Sequence, residues 1–225
     1  MSRIIFITGT DTGVGKTVVT AALLRSLLDR GIDAAAFKPV QTGCGQGDDD
    51  VQWIRTMAGV DENRAIRQLY RLTLPASPHL AAREEGVVID AKRIIATIHD
   101  LSKKYETLLV EGAGGLLVPL DERHTILDLI TASGAEVVLV SRNALGTINH
   151  TGLTLRELRR HDLRLSCVAM NETSAAESEE DQIIRADNLA VIGALAQPAD
   201  VIPLPYEHDL TPQSIQKLAA LFADT

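Results

Sequence analysis

The sequence has 225 residues, a formal net charge of −8 at pH 7, and 45% hydrophobic but only 3% aromatic residues. The acidic balance argues against nucleic acid as the main partner, because a phosphate backbone requires clustered Lys and Arg side chains. Length and composition favour one globular α/β domain spanning residues 1–225, and they leave room for a phosphorylated small molecule as ligand.

Cysteine usage and hydropathy favour a reducing, intracellular compartment. The two cysteines, Cys44 and Cys167, are not spaced as a C-x-x-C pair, so we expect free thiols rather than a zinc site. The chain starts on an apolar strand without a signal-peptide pattern, and no apolar run approaches the roughly 20 residues that span a bilayer. We therefore expect a cytoplasmic protein without a membrane partner.

The first third of the chain predicts two strands and two helices. Arg3–Thr8 is a short apolar run that leads into a glycine-rich loop, as a buried parallel strand does. Apolar residues then recur at three- and four-residue steps up to Gly31, which predicts a helix that ends there. A second strand is predicted in "DAAAFKP", closed by Pro39, and a short helix in "DVQWIRTMAG" after the loop "QTGCGQGDDD".

The rest of the chain continues the alternation. Residues 60–89 are not assigned, except that Ser77 predicts a helix start with Pro78 in its first turn. Helices are also predicted at Ala91–Lys104, in the segment that ends at Arg160, and after a cap at Thr211. Strands are predicted at Thr107–Val110, Glu136–Val140 and Leu165–Met170 and in "AVIGAL", and "VIPLPYEHDL" is predicted to be a loop. This alternation predicts a mostly parallel central sheet with helices on both faces.

A glycine-rich stretch directly after the first strand has the features of a phosphate-binding loop. Gly13 and Gly15 in "GTDTGVGKT" let backbone N–H groups turn inward around phosphate oxygens, and the following helix adds its positive end. Lys16 can reach the terminal phosphates of a nucleotide, and the Thr17 hydroxyl can ligate Mg²⁺. The motif therefore predicts a P-loop NTPase fold.

This loop is one residue longer than the standard pattern G-x-x-x-x-G-K-[ST]. The pattern needs glycine at position 10, where Thr10 stands, and the first glycine is Gly9. Because the innermost turn "GVGKT" is intact, we expect the phosphate cradle to be kept. The extra residue should push the front of the loop, up to Thr12, toward a ligand beside the phosphate.

Polar side chains also follow other predicted strands, at the sheet edge where ligands of open parallel sheets bind. Lys38 follows the second strand, Glu111 follows "TLLV", and Asn171 follows "LSCVAM". Mg²⁺ needs more oxygen ligands than one hydroxyl, so Glu111 is the first candidate and Asp50 the second. Other interpretations are a strand-end surface acid for Glu111 and a surface lysine for Lys38.

The aspartate run before the short helix is ambiguous. Asp48 and Asp49 compete with Asp50 as the metal ligand. The whole run is also compatible with a solvated helix start that the helix dipole stabilises.

Seven stretches together resemble the dethiobiotin synthetase family, ATP-dependent ligases that close the ureido ring in biotin synthesis. They span positions 9 to about 171 in the family's order, and the long first loop is typical of it. The stretches are "GTDTGVGKT", "KPVQTG", "DVQWIR", "SPH", "VEGAGG", "LGTINH" and "CVAMN". The resemblance implies a reaction of 7,8-diaminopelargonic acid, CO₂ (or bicarbonate) and ATP through a carbamate and a carbamic-phosphoric anhydride.

The resemblance also implies roles for individual residues. Lys16 and Lys38 stabilise the transferring phosphoryl group and the carbamate, with Thr12 as a third catalytic residue. Mg²⁺ is held by Thr17, Asp50 and Glu111. The nucleotide is bound by Gly13, Val14, Gly15, Lys16, Thr17, Asp50, Glu111, Gly112, Ala113, Gly114, Asn171, Pro203, Leu204 and Pro205. The substrate is bound by Thr12, Lys38, Thr42, Leu145, Gly146 and Asn149.

The family resemblance further implies a homodimer with active sites near its interface. The helix start at Leu145–Asn149 would receive the carboxylate of the partner's substrate. Asn171 would read the base. After residue 175 the match is loose, and "PYEHDL" departs from the family's ribose-contacting acid. Glu207 is the candidate for that contact, and the choice between ATP and CTP stays open.

Three rival functions share parts of this pattern. A partitioning or cell-division ATPase switch usually places lysine near the loop start, where this chain has Thr10–Thr12. A cobyrinate-type amidase would need a glutaminase domain with a nucleophilic cysteine, for which 225 residues leave no room. A nonenzymatic nucleotide-binding regulator would not need Lys38 together with the acidic residues.

Overall fold

The computed structural model describes residues 2–45, 49–66, 68–206, 216 and 220. The strands are β1 (Arg3–Gly9), β2 (Ala34–Phe37), β3 (Val40–Gln41), β4 (Ala65–Ile66), β5 (Tyr70–Arg71), β6 (Thr107–Gly115), β7 (Glu136–Arg142), β8 (Leu165–Asn171) and β9 (Asp200–Leu204). The helices are α1 (Lys16–Asp29), α2 (Asp50–Ala58), α3 (Pro78–Glu84), α4 (Ala91–Ser102), α5 (Ile126–Ser133), α6 (Thr147–Arg160) and α7 (Glu179–Ala196). Strands and helices alternate along most of this length, as in an α/β fold.

Seven of the strands form one sheet in the order β4-β2-β6-β1-β7-β8-β9. Each neighbouring pair runs parallel, and β3 and β5 form a separate two-stranded parallel sheet. β1 lies in the middle, with Ile5 beside Leu109 of β6 on one side and beside Glu136 of β7 on the other. The predicted mostly parallel sheet is confirmed.

Apolar side chains cover both faces of the sheet, because successive strand residues point to opposite sides. Phe6 of β1 joins one core, to which helices α3 to α7 contribute residues such as Ile94 and Ile192. Ile5 and Ile7 join the other core, which α1 and α2 complete. The prediction of helices on both faces is therefore confirmed.

Two predicted elements near the C-terminus are wrong. "AVIGAL" is part of α7 and not a strand. The residues Asn188, Ile192 and Ala196 of α7 are buried at four-residue steps, which is helical spacing, and a six-residue window is too short to reveal it. The start of "VIPLPYEHDL" is β9, not a loop, and Pro203 is tolerated there because β9 is an edge strand.

The segments without an assignment contain further elements. Residues 60–89 hold β4, β5 and α3, and Ser77 is the N-cap of α3 with Pro78 in the first turn, as predicted. Helix α5 begins at a capping box in which Thr125 and Asp128 satisfy each other's backbone N–H groups. The predicted cap at Thr211 lies outside the described residues.

None of the helices within the described ranges is long and apolar enough to cross a membrane. The parallel strands instead bring their carboxyl ends to a common edge. Lys38 follows β2, Glu111 lies within β6 and Asn171 ends β8. These predicted site residues lie toward the same edge of the sheet as the glycine loop after β1.

Candidate active site

The loop between β1 and α1 is tightly wrapped, and its glycines permit this. Gly15 has a left-handed φ of +94°, and a Cβ there would lie 2.1 Å from Nδ2 of Asn171. A Cβ on Gly9 would lie 2.8 Å from Cγ2 of Val14. Helix α1 begins at Lys16, and Gly15 is its N-cap. Within the described residues, no N-cap side chain accepts a hydrogen bond from the first N–H groups of this helix. The first N–H groups of α1 can therefore receive an anion such as phosphate.

Lys16 places a buried ammonium group at this loop. Its Nζ donates a hydrogen bond to the carbonyl oxygen of Asp11 at 2.9 Å, and the residue is only 7% exposed. Burial lowers the pKa of Lys16 to about 8, against an opposing effect of the nearby Glu111 carboxylate. A phosphate group placed against this ammonium would favour its charged form.

Lys38 lies directly after β2 and connects two carboxylates. Its Nζ donates to Oε1 of Glu111 at 2.7 Å and to a carboxylate oxygen of Asp50. Burial by itself would lower the pKa of Lys38, but Glu111 and Asp50 outweigh burial and raise it. Lys38 is thus a buried cation and not a solvated surface lysine.

Glu111 is the most buried charged group of this cluster, at 1% exposure. Its Oε1 also accepts a hydrogen bond from the Thr17 hydroxyl at 2.8 Å. Its Oε2 is buried and has no hydrogen-bond partner among the described residues. A buried carboxylate oxygen without a partner is costly, and a bound cation would remove that cost.

The donor set formed by Thr17, Asp50 and Glu111 fits Mg²⁺. All three donors are oxygens, the ligand type that Mg²⁺ prefers, and two of them are carboxylates. Across the described ranges, no group of three or more His, Cys, Asp or Glu side chains is arranged to hold a metal. A cation at this set would therefore keep several water ligands, as Mg²⁺ commonly does.

Asp49 and Asp50 are adjacent in sequence but lie in different environments. Asp49 is the N-cap of α2, and its Oδ1 accepts from the backbone N–H groups of Val51 and Gln52 at 3.0 and 3.1 Å. Asp50 is the first helical residue and contacts Lys38. The geometry thus favours Asp50 over Asp49, while Asp48 lies outside the described residues.

A cavity of about 650 Å³ opens beside these charges. The predicted site residues that line it are Thr12, Gly13, Gly15, Lys16, Thr17, Lys38, Thr42, Asp50, Glu111, Gly112, Ala113 and Gly114. Its wall also contains residues without a predicted role, namely Val40, Gln41, Pro75, Ala76, Ser77, Pro78 and Val118. The stretch "SPH" is one of those that resemble the family, and it could have indicated that Ser77 and Pro78 lie at the site.

Asn171 lies on the other side of the phosphate-loop candidate, at the end of β8. Its Nδ2 donates to the carbonyl oxygen of Val14 at 3.0 Å, so Val14 contributes its backbone and is itself buried. On the neighbouring β9, Leu204 pairs with Asn171. Pro203 of β9 and Pro205, which follows this strand, are exposed. These four residues lie together but do not line the cavity.

The start of α6 lies outside the cavity wall. Gly146 is its N-cap with a left-handed φ of +92°, and Asn149 in its first turn is exposed. Leu145 is 87% exposed, a large apolar side chain in contact with solvent. The described chain does not bring Leu145, Gly146 and Asn149 to the cavity.

Comparison with known proteins identifies the family. A family model described as an AAA domain matches residues 3–212. The ATP-dependent dethiobiotin synthetase BioD of Thermodesulfovibrio yellowstonii is 38% identical over 95% of this chain and 93% of its own length. The protein of the same name from Rhodopseudomonas palustris is 43% identical over 88% of this chain and 89% of its own length. The chain belongs to the dethiobiotin synthetase family.

Solved structures of other P-loop ATPases share the fold of this dethiobiotin synthetase family member. The cell division ATPase MinD of Pyrococcus furiosus has a TM-score of 0.57 and 20% identity, covering 99% of this chain and 98% of its own. A ParA family ATPase of Chlorobium tepidum has a TM-score of 0.52 and 15% identity, covering 100% and 97%. At such identities the likeness shows the fold alone, and it does not favour a partitioning switch.

Proposed function

We propose that the protein is an ATP- and Mg²⁺-dependent cyclo-ligase that converts 7,8-diaminopelargonic acid and CO₂ into dethiobiotin, with ADP and phosphate as the other products. Membership of the family supports this activity. The observation that carries the proposal is the convergence of Lys16, Lys38, Asp50 and Glu111 on one cavity beside the glycine loop.

The proposed chemistry requires positioning and charge stabilisation, with no protein nucleophile. One amine of the substrate captures CO₂ and loses a proton, which gives a carbamate. A carbamate oxygen attacks the γ-phosphorus of ATP, and ADP leaves. The second amine then attacks the carbamoyl carbon of the mixed anhydride, phosphate leaves, and the ureido ring is closed.

The cationic side chains support the two transfers. Lys16 would neutralise charge on the terminal phosphates, and Lys38 would neutralise charge on the transferring phosphoryl group and the carbamate. Thr17, Asp50 and Glu111 would hold Mg²⁺, which when bound neutralises phosphate charge. Thr12 and Thr42, both in the cavity wall, would contact the amine or carbamate end of the substrate.

The remaining contacts are assigned to nucleotide and substrate separately. The base is proposed to lie against Asn171, with Pro203, Leu204 and Pro205 beside it. The substrate carboxylate is proposed to bind at the α6 start of a second protomer in a homodimer, through Leu145, Gly146 and Asn149. That position agrees with the exposure of Leu145 and Asn149. The protein is proposed to work in the cytoplasm.

The decisive experiment measures product and ATP turnover together. Purified protein is incubated with ATP and Mg²⁺, with and without diaminopelargonic acid and bicarbonate, and the products are identified by mass. We expect turnover to depend on both added substrates and the dethiobiotin mass to appear. If ATP turnover does not change when diaminopelargonic acid and bicarbonate are added but increases with DNA or membranes, the proposal is refuted and an ATPase switch is favoured.

A further inference from the structure

The start of α2 is held by side chains from outside the helix. The backbone N–H of Asp50 donates to Oε1 of Gln41 at 3.2 Å, and the next two N–H groups are bound by Asp49. The N–H of Trp53 makes the first bond within the helix, to the carbonyl oxygen of Asp49. The first three helical N–H groups, which have no partner within the helix, are therefore satisfied by side chains, and Gln41 on β3 provides the contact from outside the cap.

A second glutamine fixes the orientation of the Gln41 carboxamide. Nε2 of Gln68 donates to Oε1 of Gln41 at 2.6 Å and to Oδ1 of Asp49 at 3.3 Å. The Asp50 N–H can only donate and the Asp49 carboxylate can only accept, so the chemistry requires oxygen on Gln41 and nitrogen on Gln68. The arrangement thus determines which end of each amide faces the helix.

Gln41 is well placed to set the position of Asp50. It is buried, at 4% exposure, and lines the cavity, whereas the Asp50 side chain is 38% exposed and is not fixed by packing. Asp50 therefore depends on its backbone and on Lys38 for its position. We propose that Gln41 is a positioning residue that holds Asp50 at the site, and that Gln68 orients Gln41.

This inference rests on the proposed function, because it takes Asp50 as a ligand of Mg²⁺. A displacement of about 1 Å in a positioned group can cost roughly 100-fold in activity. Removing a group that orients a metal ligand typically lowers metal affinity by roughly 10–100-fold. Loss of the Gln41 contact should therefore weaken metal binding without changing how the loop holds phosphate.

The test measures the affinity for ADP by calorimetry, once with Mg²⁺ and once with EDTA. The ratio of the two dissociation constants reports the coupling between metal and nucleotide. Gln41→Leu should reduce this ratio about tenfold and leave the EDTA affinity within about twofold of the wild type. Gln68→Leu should reduce the ratio by a smaller factor. Gln52→Leu, the same substitution on the exposed side of α2, should change neither value.

Two further measurements make the outcome unambiguous. Asp50→Asn should lower the ratio at least as much as Gln41→Leu; an unchanged ratio would refute the metal role of Asp50 in the proposed function. A lower ratio in Asp50→Asn but not in Gln41→Leu would refute the positioning role alone. Trp53, the only tryptophan, reports by its emission whether α2 is folded. Gln41 has only a structural role if Gln41→Leu shifts the Trp53 emission. The same conclusion follows if Gln41→Leu weakens ADP binding by the same factor in EDTA as in Mg²⁺.

Discussion

Single residues in the candidate site carry charges that the fold keeps away from water. Lys16, Lys38 and Glu111 are 7%, 6% and 1% exposed, and ion pairing offsets the cost of burying Lys38 and Glu111. In the proposed reaction these groups would act on phosphate in a low-dielectric environment, where a fixed charge has a larger effect than in water. Removing one of them should therefore affect chemistry more than folding.

Replacing Lys38 by methionine tests whether its charge stabilises the transferring phosphoryl group. We expect kcat for dethiobiotin formation to fall by about 100- to 1,000-fold, as for the loss of one preorganised donor of positive charge. The KM for ATP should change less, because Lys16 remains at the glycine loop. Lys103→Met is the control, since Lys103 is exposed and pairs only with Asp100 in the described structure. A Lys38→Met enzyme with wild-type kcat would contradict the assigned role.

Replacing Glu111 by glutamine tests the cation site. Glutamine keeps an acceptor for the Thr17 hydroxyl but removes the negative charge. The Mg²⁺ concentration for half-maximal turnover should rise at least about tenfold, because metal affinity depends on ligand charge. A titration of activity with Mg²⁺ at fixed ATP measures it, and an unchanged midpoint would exclude Glu111 as a ligand.

Part of the site could be predicted from residues alone. The G-K-T motif indicates Lys16 and Thr17, and Lys38 is indicated by its position directly after a buried strand. Glu111 was expected just after such a strand but lies inside β6. The choice between Asp49 and Asp50 could not be made by spacing, because it depends on which one caps α2. Gln41 was missed for another reason: its partners Asp50 and Gln68 are 9 and 27 residues away, and no local sequence pattern links them.

At the level of elements, the helices α1, α4 and α6 and the buried strands β1, β2, β6, β7 and β8 were predicted, whereas most of the short elements and the 18-residue helix α7 were not. β3, β4 and β5 have two residues each, too few for any periodicity to appear. Helix α5 carries a T-x-x-D capping signal, Thr125 to Asp128, that could have located its start. The prediction of a strand in "AVIGAL" was wrong because a short run of apolar residues is equally compatible with a buried strand and a buried helix.

One contact joins three strands at the edge of the sheet opposite the site. Glu136 at the start of β7 accepts hydrogen bonds from Arg3 of β1 and Ser166 of β8. It also forms an ion pair with Arg164, whose Nη2 lies 2.8 Å from Oε2 of Glu136. Its side chain is 3% exposed. Burial by itself would raise the pKa of Glu136, but the hydrogen bonds from Arg3 and Ser166 outweigh it and hold the pKa below its ordinary 4.5.

Glu136→Gln should therefore lower the free energy of unfolding by about 1–3 kcal/mol at pH 7. A carboxylate with a depressed folded-state pKa stabilises the protein above its unfolded pKa and loses this effect as the pH falls through the folded value. The difference between wild type and variant should thus be constant at neutral pH and shrink below about pH 4.5. Urea unfolding at several pH values measures it.

The exposed Glu84→Gln variant is the control for this series and should stay within about 0.5 kcal/mol of the wild type. A Glu136→Gln difference that does not depend on pH would show that the ionised carboxylate is not what holds the three strands.

On the scale of the whole molecule, the proposed homodimer would complete each active site with residues of two protomers. Lys16 belongs to the cavity, and Asn149 lies at the start of α6, outside that cavity. The family gave the homodimer as an expectation, and a single chain contains no information about the arrangement of a second copy. Asn149→Ala should raise the KM for diaminopelargonic acid and leave the KM for ATP unchanged.

Mixed dimers provide the sharper measurement. Lys16→Ala and Asn149→Ala chains are co-expressed and assayed at low diaminopelargonic acid, where each variant alone is nearly inactive. In a mixed dimer one site receives both substitutions and the other receives neither, so about a quarter of all sites should be intact. Activity equal to the sum of the separate variants would mean that each site is built from one chain only.

The glycine loop follows the central strand β1, with the charged cavity toward β2 and β6 and Asn171 toward β8. If Asn171, Pro203 and Pro205 hold the base as proposed, the residues that select the nucleobase and those that make the new bonds lie on different strands and their loops. Evolution could then exchange adenine for another base through changes at β8 and β9 alone, while the ring-closing machinery stayed intact.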